Sequence, residues 1–325
     1  IIMSIIKIRD VAYPILQVPD LGAQEKFLVD FGMKRVLLED NSLYMRGEGD
    51  QQFFHVTHKG KKKFIGLGLY AESEEDLQIL SEQDNFSNIE DLMSPGGGKM
   101  VWTTDPDNIR IEVVFGIETR QPDIDQFLSP GDNIGGIKKE NHSRFNQTKR
   151  VGKLIPSKIK KLGHIGINIS DVTKSFEWYN HYFGILISDK IEIKKGFYGA
   201  MFCRCDLGEE PTDHHSLFIS SNLTSNLISG LNHVSYEVID IDDIFLGHET
   251  LRQNNYNHEW GIGRHYQGSQ IFDYWRSPFG HVHEHMTDSD VYDNTVEAGI
   301  ASITEAAGMQ WGPDITSTFG NEEGV

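Results

Sequence analysis

Apolar residues recur at two periods along this chain. Near the start, VAYPILQVPDLGAQEKFLVDFGM runs from an apolar strand through a Pro-Asp turn into a segment with Leu21, Phe27, Leu28 and Phe31 at helical spacing. Gly32 follows, where a left-handed helix end is expected. LGHIGINISDVTKSFEWYNHYFGI repeats the pattern in the second half: Asp171 falls opposite Asp20, Trp178 opposite Phe27, and Gly184 opposite Gly32 after one gap. Each half therefore opens with a strand, a capped turn and an amphipathic helix.

The echo continues. GLGLYAESEEDL parallels NHVSYEVIDIDDI as a strand, an acidic turn and a helix start, and TTDPDNIRIEVV parallels WRSPFGHVHEHM as a turn followed by a strand. Pro106 matches Pro278, and Glu112 matches Glu284 six residues on. An internal repeat of this kind constrains the whole fold. The expectation is an α+β protein of paired βαβββ modules in two similar domains, each a curved, mostly antiparallel sheet around a cleft. The expected boundaries are 1–130 and 161–292, a basic linker at 131–160, and a tail at 293–325 that is a candidate lid.

The linker stands out by charge. Nine Lys or Arg and one acid lie between Lys138 and Lys161, after the turn-rich SPGDNIGG, in a chain whose net charge is −18. A field of that sign repels phosphate backbones and anionic lipid surfaces, so neither nucleic acid nor membrane is an expected partner, and the basic stretch reads as solvated linker. No apolar run approaches the roughly 18 residues of a membrane span. IIMSIIKIRD breaks its apolar run at Ser4, Lys7 and Arg9 without a small-residue cleavage site, which argues against a signal peptide. Cys203 and Cys205 are the only cysteines, spaced as strand neighbours at or beyond disulfide reach. Reduced thiols and a cytoplasmic location are expected.

Histidine separates the halves. Three of the 14 histidines precede residue 151 and eleven follow residue 163. In the repeat comparison His164 falls opposite Tyr13, His233 opposite Gly66 and Glu284 opposite Glu112. Two imidazoles and a carboxylate on adjacent strands can occupy one face of an octahedron, the arrangement that suits non-haem Fe(II) and leaves positions open. The first half, with Tyr, Gly and Glu, is expected to bind no metal. His281, His283 and His285 alternate with Glu284 and point away from it, so they are expected at the surface or behind the ligands.

The segments LGHIGINISDV, LNHVSYEVID, GIGRHYQGSQIFDYWRSPFG and HVHEHMTDSD resemble type I extradiol ring-cleavage dioxygenases of the vicinal oxygen chelate superfamily, which includes glyoxalases and bleomycin-resistance proteins. The resemblance is specific in the second half and limited to the module pattern in the first. It implies a catalytically silent N-terminal domain and a C-terminal one in which His164, His233 and Glu284 hold Fe(II), occasionally Mn(II). It further implies an active-site His in DHHSLFI (His215, with His214 as the fallback), His265 in Gly-Arg-His, and Tyr274 nine residues later. In those terms His215 serves as general base and then acid, while His265 and Tyr274 donate hydrogen bonds to substrate oxygens. The expected reaction is ring opening of a catechol-type aromatic beside its diol, with both atoms of O2 incorporated, in aromatic hydrocarbon catabolism; the resemblance also implies a homo-oligomer. Two alternatives stay open: another metalloenzyme of the superfamily, glyoxalase- or isomerase-like, or a non-catalytic protein that binds an aromatic ligand. Arg264 and Arg276 either pair with a substrate carboxylate or form salt bridges at strand edges.

Overall fold

A computed structural model describes residues 4–123, 154–221 and 229–320. Two large sheets dominate. The first contains β1 (Ile8–Val18), β2 (Lys34–Leu38), β3 (Ser42–Arg46), β4 (His55–Lys59), β5 (Lys63–Ala71), β6 (Glu90–Asp91), β7 (Lys99–Thr104) and β8 (Arg110–Phe115), with helices α1 (Leu21–Phe31) and α2 (Glu74–Ser81). The second half supplies β9 (Ile159–Asn168), β10 (Leu186–Lys194), β11 (Phe197–Arg204), β12 (Thr212–Asp213), β13 (Leu217–Ser220), β14 (Gly230–Val238), β15 (Asn257–His265), β16 (Ile271–Arg276), β17 (Val282–Thr287) and β18 (Val291–Tyr292). Its helices are α3 (Val172–Phe183) and α4 (Ile241–Gln253). The tail contributes β19 (Gly299–Ser302), α5 (Ile303–Ala307) and β20 (Met309–Trp311). Most of the linker expected at 131–160 lies outside the described residues; its last two positions already belong to β9.

The first sheet runs β2-β3-β4-β1-β5-β8-β7-β6, and the core of the second runs β10-β11-β13-β9-β14-β17-β16-β15. These are the same order, strand for strand. The expected α+β fold of two sheet-rich modules is what forms. The helix ends follow the sequence signals: Asp20 and Asp171 accept backbone N–H bonds in the first turns of α1 and α3, and Gly32 and Gly184 close them in the left-handed region.

The tail adds one strand to each edge of the second sheet, β19 beside β10 and β20 beside β15. It therefore ties together the two margins of a curved sheet, with α5 between them. Between the halves lies one continuous apolar core that takes in Phe27, Leu28 and Phe31 of α1 with Ile165, Tyr236 and Trp275. Among the described residues, no helix is long and apolar enough to cross a membrane.

Candidate metal centre and its cavity

Strand register confirms which positions are equivalent. Tyr13 pairs with Gly68, which pairs with Glu112. In the second sheet His164 pairs with Ser235, which pairs with Glu284. Gly66 and His233 each precede the middle residue of their row by two, on the same face. The side chains of His164, His233 and Glu284 consequently meet, all of them buried. His164 Nε2 lies 2.8 Å from His233 Nε2, and Glu284 Oε2 lies 3.2 and 3.8 Å from those two nitrogens.

These residues fit a metal. Glu284 Oε1 accepts from Gln270 Nε2 at 2.8 Å, whereas Oε2 is buried without a hydrogen-bond partner and faces two imidazole nitrogens. Burial pushes His164 and His233 down to about 3, so both rings are neutral near pH 7, the form that ligates. A hydrogen-bond chain sets the His233 tautomer. The Gly320 carbonyl accepts from Asn168 Nδ2 at 3.2 Å, Asn168 Oδ1 accepts from Asn232 Nδ2 at 2.9 Å, and Asn232 Oδ1 accepts from His233 Nδ1 at 2.6 Å. A carbonyl can only accept, so direction propagates along the chain and His233 Nε2 is left as a bare lone pair aimed at the cluster.

In the first sheet the equivalent carboxylate is committed elsewhere. Glu112 accepts from the Tyr13 hydroxyl at 2.9 Å and from Arg110 Nε at 2.7 Å.

The other sequence candidates fall around the same point, with one exception. His215 packs at a tilt against His164, their ring centres 4.0 Å apart, and lines the cavity. His214 turns away: its Nε2 donates to Asp189 at 2.9 Å and its Nδ1 lies 3.1 Å from Nδ1 of His215. With Asp189 accepting from its Nε2, His214 Nδ1 is placed to accept from His215 Nδ1, which leaves Nε2 of His215 as an acceptor. Burial, reinforced by His164 and other nearby imidazoles, holds His215 well below its ordinary value. His265 Nε2 lies 3.1 Å from the Tyr274 hydroxyl, and both line the cavity. Burial, with Glu284 adding to it, raises Tyr274 well above its ordinary value, so the phenol stays protonated.

The cavity measures about 320 Å³. Its polar end is this histidine cluster; its walls are Ile191, Phe202, Phe218, Trp260 and the tail's Ile303 and Phe319. Tail residues from Ile303 to Gly320 thus contribute to the lining of the cavity.

The structure decides two alternatives that the sequence left open. His281, His283 and His285 do point away from Glu284, but all are buried, not at the surface. The far face of β17 is covered by α1: His285 stacks on Phe31 with ring centres 3.7 Å apart and its Nε2 donates to the Phe31 carbonyl at 2.6 Å, while His283 packs on Phe27. Arg264 and Arg276 do not line the cavity; they pair with Asp288 and Glu259.

Asp189, Asn168, Asn232 and Gln270 were not singled out in the sequence. Only the adjacency of Asn232 to His233 hinted at a role, since a ligating imidazole needs an acceptor for its other nitrogen. A second grouping of His248, His258 and Asp273 lies outside the cavity; there both imidazoles and Trp275 Nε1 hydrogen-bond the buried carboxylate.

Fold and site together define a class: a protein of paired βαβββ modules presenting two histidines and a glutamate to one cleft. Residues 161–284 match the family model described as the Glyoxalase/Bleomycin resistance protein/Dioxygenase superfamily. In sequence the chain is 25% identical to metapyrocatechase 2 of Cupriavidus necator over 311 residues, 94% of this chain and 89% of that one. In fold it is similar to homoprotocatechuate 2,3-dioxygenase of Brevibacterium fuscum, solved with 3,4-dihydroxyphenylacetate (TM-score 0.77, 16% identity, 98% of this chain and 93% of that one). It is equally similar to a Mn(II)-bound glyoxalase of Novosphingobium aromaticivorans (TM-score 0.76, 20% identity, 96% and 94%). The resemblance drawn from the sequence stands: residues 161–284 match the model of this superfamily, and the proteins the chain is similar to include a metapyrocatechase and extradiol dioxygenases.

Proposed function

We propose that this chain is an Fe(II)-dependent extradiol dioxygenase that opens a catechol-type ring with O2, incorporating both oxygen atoms. The observation that carries the proposal is one cavity lined by His164, His233, His215, His265 and Tyr274, with Glu284 at its base. Fold likeness alone does not choose between the dioxygenase and the glyoxalase neighbour. The choice rests on His215, His265 and Tyr274, which a mere metal chelate does not need.

Iron held by His164, His233 and Glu284 would supply the chelating, redox-active centre, and two neutral imidazoles with one carboxylate suit it. The protein's own groups then divide the work. His215, with its Nε2 unprotonated, accepts a catechol proton and later returns it, and the Asp189–His214 pair fixes its orientation. Tyr274 and His265 donate hydrogen bonds to substrate oxygens and stabilise negative charge that builds on the ring. Phe202, Phe218 and Phe319 keep water from the reacting face. The free, buried thiols of Cys203 and Cys205 accord with a reducing cytoplasm.

Elemental analysis with an oxygen electrode tests this reading. Wild-type protein loaded anaerobically is expected to hold one iron per chain and to consume oxygen with catechol, giving a yellow semialdehyde. His233→Ala is expected to lose both iron and uptake. Full iron in the variant, or a manganese-only wild type that consumes no oxygen, contradicts it.

A further inference from the structure

Resting on the proposed ring cleavage, we infer that the substrate carries an uncharged, apolar ring substituent and that carboxylated catechols are rejected. The cavity is divided. At one end stand the histidines, Tyr274, Asn232 and Gln270, enough to engage the two catechol oxygens. Beyond them the lining is mostly hydrocarbon, with Asn168, Ser220, Ser221 and Gln267 as its remaining polar side chains. One wall joins Ile191 and Ala200 with Phe202, Phe218 and Ala306. The other joins Trp260 with Phe319, with Phe272 packed behind them. The walls begin at the histidines themselves, since Phe202 lies 5.0 Å from the His215 ring and Phe218 5.9 Å from that of His233. A substituent leaving the ring therefore enters an apolar slot directly.

Among the described residues, no Lys, Arg or Asp lines this cavity. The arginines on the surrounding strands are occupied. Arg204 donates to the carbonyls of Ile187 and Val296, Arg264 pairs with Asp288, and Arg276 pairs with Glu259. A carboxylate placed in the slot loses its hydration with no cation to replace it. The net charge of −18 opposes its approach as well. An ethyl or phenyl group gains contact area in the same place.

Iron-loaded protein should be compared with 4-ethylcatechol, 3-phenylcatechol, 3,4-dihydroxybenzoate and 3,4-dihydroxyphenylacetate, by anaerobic calorimetry for binding and by kcat/KM for turnover. Both apolar catechols are expected to exceed both acids at least about 100-fold in each measure. Acids that bind and turn over as well as the apolar compounds, or four compounds that do not bind at all, overturn the inference. If none is turned over by iron-replete protein, the proposed reaction fails, while the order of affinities still decides the character of the slot. Ala306→Arg, on the half-exposed tail helix, is expected to narrow the gap about tenfold. An unchanged gap in a variant with wild-type circular dichroism contradicts the placement of α5 in the wall.

Discussion

At the scale of single residues, the site depends on which nitrogen of each histidine carries its proton. His233 is held in its ligating tautomer by a chain that ends on the Gly320 carbonyl, so Asn232→Ala should leave the ligands in place yet weaken iron binding roughly 10–100-fold, as loss of a partner to a ligating imidazole typically does. A competitive chelator titration measures this, and wild-type affinity would remove Asn232 from the site. His215 is the acid–base group on this account. His215→Asn is expected to keep iron and bind catechol while single-turnover rates fall by about 10²–10⁴. His214→Asn is expected to show a smaller loss, because it acts through His215. A buried structural histidine would instead lower the melting temperature and spare turnover per folded molecule. His164, His233 and Glu284 were legible in the sequence because a duplicated chain supplies its own control: the other half has Tyr, Gly and Glu at those positions. Asp189 and Gln270 were not, because a lone polar residue carries no mark of the tertiary partner that gives it a task.

At the scale of elements, the two sheets show what duplication preserves and what it frees. Strand order and register survive in both halves, down to the row Tyr13–Gly68–Glu112 against His164–Ser235–Glu284. The chemistry differs because Tyr13 and Arg110 take up the Glu112 carboxylate. Glu112→Gln should therefore leave iron content and ring cleavage at wild-type levels, by elemental analysis and oxygen uptake. Loss of activity in a folded, iron-replete variant would mean the first sheet takes part. Helix ends, the repeated module and the face of Glu284 could all be read from periodicity and capping residues. What covered the opposite face could not. Alternation states that His283 and His285 point away from Glu284, but only the fold brings Phe27 and Phe31 from more than 250 residues earlier to bury them. The tail was equally opaque: β19 and β20 are short edge strands whose partners, β10 and β15, are set by the curvature of the whole sheet.

At the scale of the molecule, the join between halves carries a pH dependence. Burial pushes His281 down to about 3 and His283 and His285 to about 4, so all three stay neutral in the fold well below the ordinary histidine value. Unfolding lets them take up protons once the pH falls below about 6.5. Stability is thus fully present above that value and is lost as the pH falls from there toward 4, at up to about 1.4 kcal/mol per pH unit for each histidine. Urea midpoints of metal-free protein should fall steeply between pH 7 and pH 5, and less steeply in His283→Phe; midpoints flat across this range would contradict the burial of the β17 histidines. The central claim, however, concerns bond breaking beside a diol, and mass spectrometry of the product formed under ¹⁸O2 tests it most directly. Iron-loaded protein with 4-ethylcatechol is expected to give a ring-opened semialdehyde acid carrying both labelled oxygens, before its aldehyde exchanges with water. A product cleaved between the two hydroxyl carbons, an unopened quinone, or substrate returned unchanged by iron-replete protein would contradict it.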